Sequence, residues 1–170
     1  YPEPDAGNRD DNAEARFAAL QDLVRAIRAL RIECGIDPAL KIRIAVYVEK
    51  GSNAEAAREK TDIIELLAGI SRVDFLVSAA DKPRGAIGTV GTGFEAFVIP
   101  GDDLDPAQLV ARFEKELEKQ KQAKEKLEAK LSNGKFVENA PDDVVAAERE
   151  KLAEVERRIV KLEGYTGDLR

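Results

Sequence analysis

The residues of this chain whose types and spacing suit chemistry are its regularly placed cations. Arg25, Arg28 and Arg31 recur every third position, which sets three guanidinium groups along one side of a helix. Between Lys119 and Lys135 stand six lysines (Lys119, Lys121, Lys124, Lys126, Lys130 and Lys135), opposed only by Glu125 and Glu128. Both sets suit contact with anions, the arginine fork matching phosphate geometry and lysine acting as a point charge. Both equally suit solvated helix faces with i,i+4 acid partners, and the sequence leaves the two readings open. Phe136 stands in the same position, between a plug for a small local core and a stacking platform for an exposed base.

Other chemistries find little support. Histidine is absent, which removes the commonest general base and metal ligand. The single cysteine, Cys34, rules out an internal disulfide framework and favours a cytoplasmic setting. Gly88, Gly91 and Gly93 match neither the dinucleotide fingerprint nor the phosphate loop, so they read as turn glycines. Asp102, Asp103 and Asp105 cluster, but Asp105 is placed as a helix cap and the others read as solvated. No metal site and no cofactor is expected. A net charge of -6, from 27 basic and 33 acidic residues, argues against a protein that coats DNA. No membrane partner is expected either, since no apolar run is long enough to span a bilayer and no signal peptide pattern opens the chain. The chain starts Tyr1-Pro2 and contains no Met, which reads as a piece of a longer protein.

The elements that must position these cations follow from periodicity. Residues 1–10 read as a loop. Asp11 and Glu14 have capping-box spacing, and Phe17, Leu20, Leu23 or Val24, Ile27 and Leu30 keep a helical period up to the stop at Gly35. Lys41 to Val48 alternates as a half-buried strand, with Ile42, Ile44, Val46 and Val48 facing inward. Ser52 and Glu55 predict a second capped helix, with Ile63, Leu66, Leu67 and Ile70 as its apolar face. Val73, Phe75 and Val77 predict a second strand. Ala86–Val90 and Phe94–Ile99 predict a hairpin around Gly91-Thr92-Gly93. Strand, helix, strand implies a parallel pair.

Asp105 and Pro106 then open a long helix running to about Ser132. A seven-residue register places Val110, Phe113, Leu117, Gln120, Lys124, Leu127 and Leu131 on one seam. Asn133-Gly134 interrupts it, Pro141 restarts a helix, and Val145, Glu148, Leu152, Val155, Ile159 and Leu162 carry the seam back. Gln120 and Lys124 interrupt the apolar seam, either specifying register or marking a point of bending. The expected fold is α+β, or α/β in its first half. A small mixed-sheet βαββ-type module is followed by a long antiparallel two-helix coiled coil. The expected divisions are 1–35, an N-terminal loop and helix; 36–104, the α/β module; 105–163, the hairpin; and 164–170, a tail.

The hairpin tip KLSNGKFVENAPDDVVAAEREKL, Lys130 to Leu152, closely resembles the C-terminal coiled-coil segment of bacterial valyl-tRNA synthetases. The features that carry this are Lys130-Leu131, Asn133, Phe136, Ala140-Pro141, Val144-Val145, Glu148 and Lys151-Leu152. LVARFEKELE, Leu109 to Glu118, is similar to the start of the same segment. LVRAIRALRIE, Leu23 to Glu33, resembles the last helix of the family's anticodon-binding domain. FVIPGDDLD, Phe97 to Asp105, departs from the family, with Gly101, Asp102 and Asp103 standing where it has apolar residues.

The resemblance implies the tRNA-binding C-terminal part of a cytoplasmic ligase that joins valine to its tRNA using ATP. The two signature motifs of the catalytic domain are missing from this chain, so the chain by itself is expected to be inactive. Its implied partners are tRNA and the remaining domains of the synthetase, with contact at the tRNA elbow by shape and phosphates. Lys119, Lys126, Lys130 and Lys135 become candidate phosphate contacts, with Phe136 a stacking candidate. Arg25, Arg28 and Arg31 become candidates on the anticodon side or at a domain junction. The competing expectations are a structural or protein-interaction coiled coil with no RNA role, and a free-standing enzyme.

Overall fold

A computed structural model describes residues 10–101 and 104–170. The loop reading of residues 1–9 and the solvated reading of Asp102 and Asp103 lie outside the described residues. The chain divides into two compact units, one through Leu104 and one from Asp105 to Arg170.

The first unit opens with α1 (Asp11–Cys34). Its cap is Asp10, one residue before the expected Asp11. The Asp10 carboxylate accepts from the backbone N–H groups of Asn12 and Ala13, and Asp11 and Glu14 supply first-turn negative charge. Gly35 closes the helix at φ 64, a left-handed conformation that only glycine adopts without strain. Leu20, Leu23, Val24, Ile27 and Leu30 are buried as the periodicity requires. Phe17 is not, at 61% exposed.

The sheet has the order β2-β1-β4-β3, with β1 (Arg43–Val48), β2 (Arg72–Phe75), β3 (Ile87–Gly91) and β4 (Phe94–Val98). β1 pairs parallel with β2 and antiparallel with β4, and β3 and β4 form the hairpin. The three glycines weighed as a nucleotide loop belong to this hairpin. A side chain at Gly88 or Gly91 would collide with the rings of Phe97 and Phe94, which lie directly over them.

β1 is buried on both faces. Ile44, Val46 and Val48 lie in the main core, while Ala45 packs with Ala86 and Phe97 in a second small core closed by Leu76 and Ile99. Alternation alone could not reveal that second layer, because a single alanine carries it.

The expected helix after Ser52 is divided. A 3-10 segment, Asn53–Glu59, sends Ala54, Ala56 and Ala57 into the core, and α2 proper is only Thr61–Ala68. Ser52 does not cap with its side chain; its hydroxyl donates to the carbonyls of Glu49 and Gly93. The buried positions of α2 are Ile64 and Ala68, so Ile63, Leu66 and Leu67 of the expected apolar face point outward. The alanines of the 3-10 segment set the helix phase, and the bulkier residues are left outside. The expected second strand also stops early, leaving Val77 at 92% exposed.

The second unit is an antiparallel helical hairpin. It consists of α3 (Pro106–Ser132), a short α4 (Gly134–Asn139) across the turn, and α5 (Asp142–Leu169). Asp105 caps α3 through the Ala107 N–H at 2.9 Å, with Pro106 at the first helical position. Residues read as a tail after 163 are helical, because Tyr165 and Thr166 are buried against the open end of the hairpin. There Leu109, Phe113, Leu162 and Tyr165 are all buried, with the Phe113 and Tyr165 rings 5.3 Å apart. In the first turn of α3 the buried position is Leu109, not the expected neighbour Val110, which is half-buried.

Candidate nucleic-acid interface

Ion pairs between the helices fix the hairpin register. Lys121 meets Glu163 at 3.3 Å, Lys124 meets Glu156 at 2.8 Å and Lys130 meets Glu148 at 3.1 Å, so partners descend α5 as α3 ascends. The two polar interruptions of the seam are thereby explained. Lys124 reaches across to Glu156, which raises its pKa above the ordinary lysine value. Gln120 donates to Glu116 at 2.9 Å, and that bond, with Lys119 and Arg158 nearby, lowers the Glu116 pKa. The Lys124–Glu156 pair is a register contact between the helices, whereas the Gln120–Glu116 bond lies within α3.

The same pairs define two flanks of opposite character. On one, Arg112, Lys119 and Lys126 follow each other at seven-residue steps, with Lys115 and Lys130 beside them. α5 adds Lys151, Arg158 and Lys161 on this side, with Glu154 among them, as the Lys151–Glu148–Lys130 cluster and the groove lined by Gln120, Glu154, Arg158 and Lys161 require. On the other flank lie Glu114, Glu118, Glu125 and Glu128 of α3, facing Glu156 and Glu163 of α5. The lysine excess visible in the sequence is therefore sorted in space: Lys121 and Lys124 turn to the acidic flank, and the remaining cations form a basic stripe. Arg112 and Lys115 belong to this stripe although they precede the lysine-rich window. Stepping back seven residues from Lys126 through Lys119 would have found Arg112.

At the tip, Asn133 ends α3 and caps α4, its side chain accepting from the Lys135 N–H at 3.1 Å. This brings Phe136 under Lys130, whose ammonium lies 4.8 Å from the ring centroid. Glu148 is 8% exposed and receives both Lys151 at 2.8 Å and Lys130 at 3.1 Å, which together hold its pKa below the ordinary value of 4.5. Phe136 thus has one face on the tip's own packing and remains half-buried.

The candidate cations differ in availability. Lys126 and Lys135 are exposed and make no ion pair among the described residues. Lys119 is 63% exposed, with Glu116 at 3.6 Å. Lys130 is engaged by Glu148 and Phe136.

The three arginines of α1 lie in the other unit and do not form one row of free cations. Arg25 pairs with Asp22 at 2.6 Å, and Arg28 donates to the Leu67 carbonyl at 2.8 Å. Arg31 is buried, its terminal nitrogens donating to the carbonyls of Gly69, Asp37, Pro38 and Leu40. A phosphate has no access to that fork. The spacing was right for a helix face, but the packing of α2 and the Asp37–Leu40 turn against that face makes Arg31 a structural residue.

Among the described residues, no group of three or more His, Cys, Asp or Glu is placed to hold a metal, and no helix is long and apolar enough to cross a membrane. The described residues thus form an α+β module and a helical hairpin with one basic flank.

Residues 105–169 match the family described as the valyl tRNA synthetase tRNA binding arm. Similarity extends to the whole chain. A valine–tRNA ligase of Treponema denticola is 54% identical over 170 residues, covering 100% of this chain and 19% of that protein. A valine–tRNA ligase of Treponema pallidum is 37% identical, covering 99% of this chain and 19% of that protein. One from Francisella tularensis is 33% identical, covering 95% and 17%. The chain therefore spans about a fifth of the length of the curated relatives it matches.

Proposed function

We propose that this chain is the tRNA-binding C-terminal part of a valine–tRNA ligase, and that it grips tRNA with the basic flank of its hairpin. The observation that carries the reading is the segregation of charge on a hairpin that matches a tRNA-binding-arm family. On an acidic chain of net charge -6, a stripe running through Arg112, Lys119 and Lys126 to Lys135 concentrates positive potential along one line. A folded RNA presents phosphates along its backbone, and such a stripe contacts them without reading bases. Phe136 offers the half-buried ring at the tip as a stacking surface toward the tRNA elbow. Lys126 and Lys135 are the direct phosphate contacts, Lys119 an outer one, and Lys130 a contact whose main task is to hold the tip. Valine and ATP are handled by the ligase's other domains, and the setting is the cytoplasm.

Titration of the chain into fluorescently labelled tRNA across a salt series tests this. Binding should weaken linearly in log–log form as salt rises, and Lys126→Glu with Lys130→Glu should weaken it further. Unchanged binding by that double variant removes the lysine assignment. Self-association in light scattering, with no affinity for tRNA, supports a protein-interaction hairpin instead.

A further inference from the structure

One end of the sheet in the first unit carries cations that its own fold does not need. The parallel register of β1 and β2 sets Arg43 directly opposite Arg72. Like charges facing each other across strands repel and cost stability. A single carboxylate answers both. Asp74 takes Arg43 Nη2 on one oxygen and Arg72 Nε on the other, each at 2.7 Å. Lys41 adds a third cation. It stands two residues before Arg43, and both are exposed while Ile42 between them is buried. The Ser71 N–H donates to the Ile42 carbonyl at 2.9 Å, so Lys41, Arg43, Ser71 and Arg72 share the end where both strands begin. Lys41 has no ion pair among the described residues, and each arginine pairs there with Asp74 alone. Beside the cluster lies a groove of about 300 Å³. Lys41, Arg43 and Ser71 line its polar side, and Ile42, Ile99 and Leu104 its apolar side.

We infer that this end of the sheet is a second binding site, which takes a nucleotide phosphate among Lys41, Arg43 and Arg72 with the attached sugar or base against the apolar side of the groove. Asp74 suits the arginines to that task. It holds Arg43 through Nη2 and Arg72 through Nε, so the other donors of each fork meet a phosphate with little further ordering. Lys41 supplies a point charge beside them. A bound phosphate in turn offsets the repulsion that one carboxylate leaves between three cations. The chemistry is the same for a free nucleotide and for a nucleotide of an RNA strand. The site lies wholly within the first unit, so it can stand or fail independently of the hairpin.

Proton–nitrogen correlation NMR of the whole chain tests the inference, with inorganic phosphate, adenosine monophosphate, an oligouridine strand and adenosine as probes. The Arg43 and Arg72 side-chain N–H signals and the amides of residues 41–43 and 71–72 should shift with the three phosphate-bearing probes and stay in place with adenosine. Binding of the oligonucleotide about tenfold or more tighter than the monophosphate assigns the site to RNA, and any smaller ratio assigns it to a free nucleotide. Lys41→Gln with Arg72→Gln should weaken binding severalfold. Lys41→Gln alone, at an exposed position without an ion pair, should weaken it with no change in melting temperature. Lys126→Glu with Lys135→Glu, in the hairpin, should leave these shifts as they are even where it abolishes tRNA binding. The inference is overturned if no phosphate-bearing probe moves the signals, if adenosine moves them as far as its monophosphate does, or if the Lys41 variant binds as tightly as the unaltered chain.

Discussion

The Lys130 ammonium lies 3.1 Å from a Glu148 carboxylate oxygen, joining the last turn of α3 to the first part of α5. Glu148 is nearly out of solvent, and Lys151 completes its coordination. Lys130 also covers the Phe136 ring. A carboxylate on the seam thus decides where the tip lysine and the tip aromatic sit.

The Glu148 cluster makes the tip acid-sensitive. Its pKa is lowered first by the Lys151 bond and then by Lys130, so its stabilising contribution is complete above the ordinary 4.5 and is lost as pH falls through the lower folded-state value. Amide exchange of residues 134–152 should accelerate in that acid range. Glu148→Gln should give faster exchange at neutral pH and remove the acid step at the tip.

Lys126 and Lys135 should each behave as one phosphate contact. Replacing either by Gln is expected to reduce the salt slope of tRNA binding by about 0.7 to 0.9. The melting curve should not change, since neither residue has an ion pair among the described residues. Lys130→Gln is expected to differ, moving both the salt slope and the protection of the tip.

Arg31 tests a structural assignment. Burial lowers its pKa, with Asp37 opposing, and its cation joins α1 to the Asp37–Leu40 turn and to Gly69 after α2. Arg31→Ala leaves those carbonyls without a donor and is expected to cost about 3 kcal/mol in chemical denaturation. Lysine should not rescue it, because one ammonium cannot reproduce the planar fork. Binding of tRNA at temperatures where the variant is folded should be unaltered.

The open end of the hairpin depends on Phe113 and Tyr165. Phe113 is 1% exposed and sits against the Tyr165 ring. Phe113→Ala should destabilise the hairpin by about 3 to 5 kcal/mol, read by thermal unfolding at a helical wavelength. Val160→Ala, at a 70% exposed position, should change it little.

Long periodic segments and strong stops were legible in the sequence. α1, α3, α5, the β3–β4 hairpin and the Gly35 stop all follow from spacing and turn chemistry. α2 was not, because alanines of the 3-10 segment fill the core and leave Ile63 and Leu66 outside, reversing the apparent apolar face. α4 was hidden behind Asn133-Gly134, which reads as a break but caps another helical turn. For the candidate site, the lysine excess was visible, whereas its division between two flanks needed the register set by Lys124–Glu156 and Lys121–Glu163. The role of Arg31 was invisible because its partners are backbone carbonyls of distant segments.

The central claim is that one flank of the hairpin binds tRNA and the other does not. The most direct measurement compares tRNA dissociation constants for two charge reversals of equal size. Lys126→Glu with Lys135→Glu alters the basic stripe, and Lys121→Glu with Arg149→Glu, the latter seven residues before Glu156 on α5, alters the opposite side. The first pair should weaken binding by roughly tenfold or more, and the second should stay within about twofold of the unaltered chain. Equal losses from both pairs, or none from the first, contradict a flank-specific interface.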